Sequence, residues 1–119
     1  MKLDLRARWI PVQAEFDRFA ELSGDNNPIH VDPLFSAQGG FGLTAAHGML
    51  IYARLWAMLQ GKKPTLRHLH QSIIFPNPAF AGEPLDLRVA GDVPGETTLG
   101  AVRVADGVAV FLGVAEVIC

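Results

Sequence analysis

The odd positions Leu3, Leu5, Ala7 and Trp9 are apolar and those between them, Asp4, Arg6 and Arg8, are charged, an alternation that predicts a half-buried strand. Pro11 ends it. From Val12 to Leu22 the period lengthens: Phe16, Phe19, Ala20 and Leu22 recur at helical spacing, with Glu15, Asp17, Arg18 and Glu21 left for solvent. A short amphipathic helix is expected there. Asp32-Pro33 pairs a capping residue with a first-turn proline and predicts another brief helix from Pro33 to Gln38. Gly39, Gly40 and Gly42 surround Phe41, so that the backbone there is either mobile or closely approached, and a surface loop and a gate over a pocket both remain open.

Between His47 and Gln60 the residues Met49, Leu50, Ile51, Tyr52, Ala53, Leu55, Trp56, Ala57, Met58 and Leu59 leave almost no polar face. A helix of that composition is expected to be buried nearly all round, and Gly61 is its natural stop. After Pro64 the pattern changes to strands. Thr65 to Phe75 is one long candidate, and Pro84 to Ala90 alternates with Leu85, Leu87 and Val89 on one face. Thr97 to Ala105 is joined to Val108 to Ile118 through the hairpin signal Asp106-Gly107, and Pro94-Gly95 marks a turn between Gly91 and Glu96. One apolar helix followed by strands predicts an α+β fold, an antiparallel sheet curved around a long buried central helix rather than a helical bundle.

Composition narrows the picture further. With 119 residues, half of them hydrophobic, the chain is expected to form a single domain over 1–119 with a real core. A formal net charge of −2 without a long basic run gives no footprint for nucleic acid or for an anionic membrane surface. No stretch reaches the roughly 20 apolar residues of a membrane span. The single Cys119 has no partner for an internal disulfide, and the N-terminus lacks the apolar run of a secretory signal, so a cytoplasmic location is expected.

The chemistry concentrates in Leu22-Ser23-Gly24-Asp25-Asn26-Asn27-Pro28-Ile29-His30. Asp25 and His30, two groups able to move protons, are separated by residues that force the chain out of helical geometry onto a bent backbone. Taken alone, each reads as an ordinary loop residue. The order of the whole string, together with Ala46-His47-Gly48-Met49-Leu50, points to an active-site loop.

These segments resemble the MaoC-like, R-specific enoyl-CoA hydratases of the hydratase 2 type, which adopt the hot-dog fold. Phe19 to His30, followed by Asp32-Pro33 and Ala37, follows that family's signature, and His47-Gly48-Met49 matches the motif that opens its central helix. Phe75-Pro76-Asn77-Pro78 with Gly82-Glu83-Pro84-Leu85 resembles its following strand and turn. The likeness runs from about Phe16 to Val89, and the C-terminal strands fit in pattern only.

The resemblance implies reversible hydration of a trans-2-enoyl-CoA to the (R)-3-hydroxyacyl-CoA, with no cofactor. Such a reaction needs a water aimed at C3, a proton for C2, and stabilisation of charge on the thioester oxygen. Asp25 and His30 are the implied acid/base pair; which is acid and which base stays open, because both act through one water. Gly48 is the implied oxyanion donor, and the unpaired amides and dipole at a helix start suit that part. Asn27 is implied as an orienting neighbour, or serves the turn alone, and His47 and Met49 are implied to border the substrate, with His47 given no catalytic part. The substrate is expected to be an acyl-CoA or acyl carrier protein thioester, and the protein a homodimer or dimer of dimers, since a lone sheet leaves an edge exposed.

Other chemistries fit less well. His68 and His70 are expected on one strand face as a surface or dimer-interface feature, and no Cys, Asp or Glu nearby completes a ligand set, so no metal is expected. The Gly39 to Gly42 loop lacks a phosphate-binding fingerprint. Lys62, Lys63 and Arg88 are weak candidates for the phosphates of coenzyme A. A hot-dog thioesterase is a competing reading, although it would place an acid on the central helix where this chain has none. A non-catalytic acyl-thioester-binding or subunit protein is the other.

Overall fold

The computed structural model describes residues 1–40 and 42–119. The expected gate centres on Phe41, which lies outside the described residues. Five strands, β1 (Lys2–Trp9), β2 (Arg67–Ile74), β3 (Leu85–Asp92), β4 (Gly95–Arg103) and β5 (Ala109–Ile118), make one sheet in the order β1-β3-β4-β5-β2. Every neighbouring pair is antiparallel. Helices α1 (Gln13–Ser23), α2 (Pro28–Val31), α3 (Pro33–Gln38) and α4 (Gly48–Lys62) occupy the stretch between β1 and β2.

The period-two pattern sets the inner face of the sheet. Leu85, Leu87 and Val89 of β3, Leu99 and Ala101 of β4, and Phe111, Ala115 and Val117 of β5 are all buried. Against them α4 lays Ile51, Leu55 and Leu59, a stripe at successive helical turns, and Phe16 of α1 joins the same core. This is the hot-dog arrangement, a curved antiparallel sheet against one long helix. Leu55 is wholly buried, so Leu55→Ala is expected to cost about 2 to 5 kcal/mol of unfolding free energy in a urea titration. A loss below about 1 kcal/mol would mean that α4 is not seated on the sheet as described.

Two expectations need correction. The central helix is not buried all round: Ile51, Leu55 and Leu59 are its buried residues, while Ala53, Arg54 and Ala57 are exposed and Met49 is 48% exposed. The sheet covers one side of a helix, and Arg54 marks the open side, held by Glu15 and lying 4.8 Å over the Trp9 ring. Nor do His68 and His70 share a face. The ladder between β2 and β5 pairs His68 with Val117 and His70 with Glu116, so Leu69 is an extra residue that turns the two histidines to opposite sides. His68 packs against Tyr52 and Trp56 of α4, whereas His70 is exposed and bonds Glu116 at 2.6 Å.

Other boundaries follow the sequence closely. The helix read over Val12 to Leu22 runs from Gln13 to Ser23, and Gly24, at φ 80°, ends it in the left-handed conformation that only glycine adopts freely. The Pro33 to Gln38 helix forms as expected, with the Asp32 carboxylate accepting from the Phe35 amide at 3.1 Å. Among the described residues no helix is long and apolar enough to cross a membrane.

Candidate active site

Asp25 and His30 reach one place because three local devices bend the chain between α1 and α2. The Ser23 hydroxyl donates to the Phe19 carbonyl at 2.7 Å and accepts from the Asp25 amide at 3.1 Å, which closes the turn after Gly24. Asp25 Oδ1 then accepts from the Asn27 amide at 3.4 Å, and Asn27 Oδ1 accepts from the Ile29 amide at 3.1 Å. Asn27 thus caps α2, with Pro28 as that helix's first residue. This one-turn helix was not foreseen, and it carries His30 inward.

His30 is 9% exposed and anchored from two sides. Its Nδ1–H donates to the Ala45 carbonyl at 2.7 Å, and its own carbonyl accepts from Gln13 Nε2 at 2.8 Å. Thr44 Oγ1 donates to Gln13 Oε1 at 2.5 Å, so Gln13 ties α1, α2 and the strand-like segment before α4 together. Sequence reasoning missed Gln13, whose partners lie 17 and 31 positions away and leave no local signal.

Because the Ala45 carbonyl can only accept, Nδ1 carries a proton, and in the neutral imidazole that leaves the lone pair on Nε2. That Nε2 lies 3.7 Å from Asp25 Oδ2. Two acceptors cannot bond each other, yet one water set between them can donate a proton to each at about 2.8 Å. Asp25 is more than half exposed and His30 is buried, so the pair sits at the border between solvent and core.

His47, immediately before α4, lies beneath this pair. It is 2% exposed, its ring stacks on His30 with centroids 3.9 Å apart, and its Nε2–H donates to the Asp25 carbonyl at 2.8 Å. Burial lowers its pKa below the ordinary histidine value; the Asp25 carbonyl acts the other way and the neighbouring His30 adds to the depression. Burial likewise lowers the pKa of His68, with Gln71 opposing.

In the unfolded chain both histidines titrate near 6.5, so below that pH the unfolded state binds more protons and folding loses stability as pH falls toward the lower folded values. The urea midpoint is therefore expected to drop between pH 7.5 and 5.5, less steeply in His68→Gln. Equal slopes in the two proteins would show that His68 is not buried neutral.

A cavity of about 260 Å³ opens beside His30, with Asp25 just outside its walls. Its walls include His30, Gly48, Ile51, Phe75, Ala79 and Val110. Gly48 is the first residue of α4, and among the described residues its amide, like that of Met49, makes no hydrogen bond, whereas Leu50 and Ile51 both donate to the His47 carbonyl. Free amides with the helix dipole behind them are suited to an oxygen that gains negative charge. Larger hollows of about 500 Å³ lie elsewhere on the sheet, around Leu112 and Val114, around Arg88 and Val102, and around the exposed His70–Glu116 pair.

Of the residues singled out in the sequence, the structure brings Asp25, His30 and His47 together and sets Gly48 with His30 on one cavity. Asn27 is occupied in capping α2, and neither it nor Met49 is among the cavity walls. Arg88 is taken up by Asp4, and Lys63 meets Cys119 at 3.3 Å. One atom each of Asp25, His30 and His47 lies within 4.8 Å of the other two, a spacing a cation could bridge. The hydrogen bond from His47 Nε2 to the Asp25 carbonyl holds the loop, and the buried Nδ1 of the same ring makes no hydrogen bond among the described residues.

Fold and site together define a hot-dog domain whose loop brings a carboxylate and an imidazole together near a helix start. The family model described as the MaoC like domain matches residues 2–106, and the chain belongs to that family. It is 39% identical over 79 residues to an (R)-specific enoyl-CoA hydratase from Aeromonas caviae, a match covering 64% of this chain and 58% of that protein. It is 32% identical over 99 residues to 3-hydroxyacyl-thioester dehydratase Z from Mycobacterium tuberculosis, covering 77% of this chain and 64% of the other. The chain thus spans about three fifths of the length of these curated relatives. Among solved structures, R-hydratase PhaJ1 from Pseudomonas aeruginosa superimposes with a TM-score of 0.87 at 26% identity, over 98% of this chain and 79% of that one.

Proposed function

We infer that this protein is a hydro-lyase that adds water reversibly to a trans-2-enoyl thioester, carried by coenzyme A or an acyl carrier protein, to give the (R)-3-hydroxyacyl thioester. The observation that carries the reading is the 3.7 Å gap between two acceptors, Asp25 Oδ2 and the lone pair of His30 Nε2, next to a cavity that also holds the free Gly48 amide. A water donating to both acceptors keeps its own lone pair free to attack C3. As the C3–O bond forms, the pair takes a proton from that water and returns one to C2, so that one hydrogen and one hydroxyl add across the double bond. The division of labour belongs to the coupled pair. Charge pushed onto the thioester oxygen is met by the Gly48 amide.

In this reading Asn27 and His47 act on substrate through Asp25, the first by shaping the turn and the second by gripping its carbonyl. Met49, half exposed, follows Gly48 at the start of α4 and would border the thioester from there. R-specificity rests on the family relationship. The enzyme would work in the cytoplasm as a homodimer or a pair of dimers. Its two sheet edges differ: β1 carries Lys2, Asp4, Arg6 and Arg8, while β2 exposes the apolar Leu69, so β2 is the edge offered to a second copy.

Purified protein mixed with crotonyl-CoA is expected to bleach the enoyl absorbance and yield 3-hydroxybutyryl-CoA of R configuration. Release of free thiol without hydration would favour a thioesterase, and no turnover at any chain length a binding or subunit protein.

A further inference from the structure

Gly48 and Phe75 lie 27 positions apart and meet face to face. A Cβ placed on Gly48 would stand 2.5 Å from Cε1 and Cζ of the Phe75 ring, closer than two carbons can approach, so the ring lies directly over the first residue of α4. On its other side the ring leans on Phe111, centroids 5.6 Å apart. Most of the cavity around it is fixed. His30, Ala45, Ala46, Ile51, Ala79 and Val110 are buried and packed into the core, whereas Phe75 is 50% exposed. Of the walls that are not buried, among them Ile29, Pro76 and Asn77, Phe75 carries the largest side chain.

We propose that Phe75 is the specificity-determining residue of this site: its ring roofs the slot over the Gly48 amide and restricts it to short, flat acyl groups, excluding long chains until the ring is removed. This rests on the thioester reading above. A volume of about 260 Å³ lies below the roughly 300 to 1,000 Å³ of pockets that enclose drug-sized ligands. The three alanines Ala45, Ala46 and Ala79 supply no bulk to rearrange, so the length of chain the slot accepts is set by where the Phe75 ring stands. An aromatic face over the conjugated enoyl group also holds it flat against the helix start.

The test uses saturated thioesters, which bind without reacting, alongside turnover. Calorimetry on the whole chain with butyryl-CoA and octanoyl-CoA is expected to show at least tenfold tighter binding of the short chain. Phe75→Ala should reduce that preference tenfold or more, Phe75→Leu should do so in part, and kcat/KM for crotonyl-CoA against 2-octenoyl-CoA should move in parallel. Gly48→Ala should weaken binding of both thioesters by forcing the ring into the slot, and Gly48→Ala combined with Phe75→Ala should recover at least half of that loss. An unchanged preference in folded Phe75→Ala and Phe75→Leu overturns the proposal, as does a wild type that binds the two chains equally. A shift in binding preference without turnover by any variant upholds this role for Phe75 and defeats the hydratase reading instead.

Discussion

Asp25→Asn and His30→Ala are each expected to lower kcat for crotonyl-CoA hydration by about 10²- to 10⁴-fold, the range that a positioned acid or base contributes. Asp25→Asn is the cleaner probe. The side chain is more than half exposed, and an amide oxygen can still accept from the Asn27 amide, so the turn survives while the charge is lost. His30→Ala also leaves the Ala45 carbonyl without its donor, a loss of about 1 to 3 kcal/mol in stability that a urea titration measures separately. The sharper expectation concerns the double variant. Both groups act on one water, so removing both should cost little more than the worse single change. Losses that multiply would show that the two groups serve separate steps and would remove the shared water from the mechanism.

The loop that carries this pair was legible because its chemistry is local. Gly24 stops α1, and the following residues leave few ways for Asp25 and His30 to sit. The Asp32-Pro33 signal gave α3 its observed limits, yet Asn27-Pro28 carries the same pairing of cap and first-turn proline, and the single-turn helix behind it went unread. A 4-residue helix has no periodicity to detect, so only the cap could have announced it.

What the sequence obscured is what depends on partners distant in the chain. An apolar residue advertises a wish to be buried without naming what will cover it, which is why Met49, Ala53 and Ala57 read as core and stand in the open. The Leu69 bulge reverses the faces of β2 and becomes visible only when the strand is laid beside β5. Gln13 has no motif; its importance comes from Thr44 and His30 arriving from two other elements.

Gly48→Pro is expected to lower kcat by a further 10²- to 10³-fold, about what one oxyanion donor supplies, relative to Gly48→Ala. The comparison separates the amide from the space around it. Gly48 is the first residue of α4, where proline is well accommodated, and His47 at φ −59° and ψ 133° already has the extended backbone that a following proline demands. The helix should therefore form in both variants. Each adds a Cβ that collides with the Phe75 ring, so that cost is common to the two. They differ at the amide: alanine keeps the N–H, whereas proline replaces that hydrogen with its ring Cδ, so nothing can donate from this position. A loss confined to kcat, with KM nearly unchanged, would match a bond that strengthens as charge develops on the thioester oxygen. Equal kinetics in the two variants would mean that glycine is required at the helix start for the ring that lies on it, and that the oxyanion is held elsewhere.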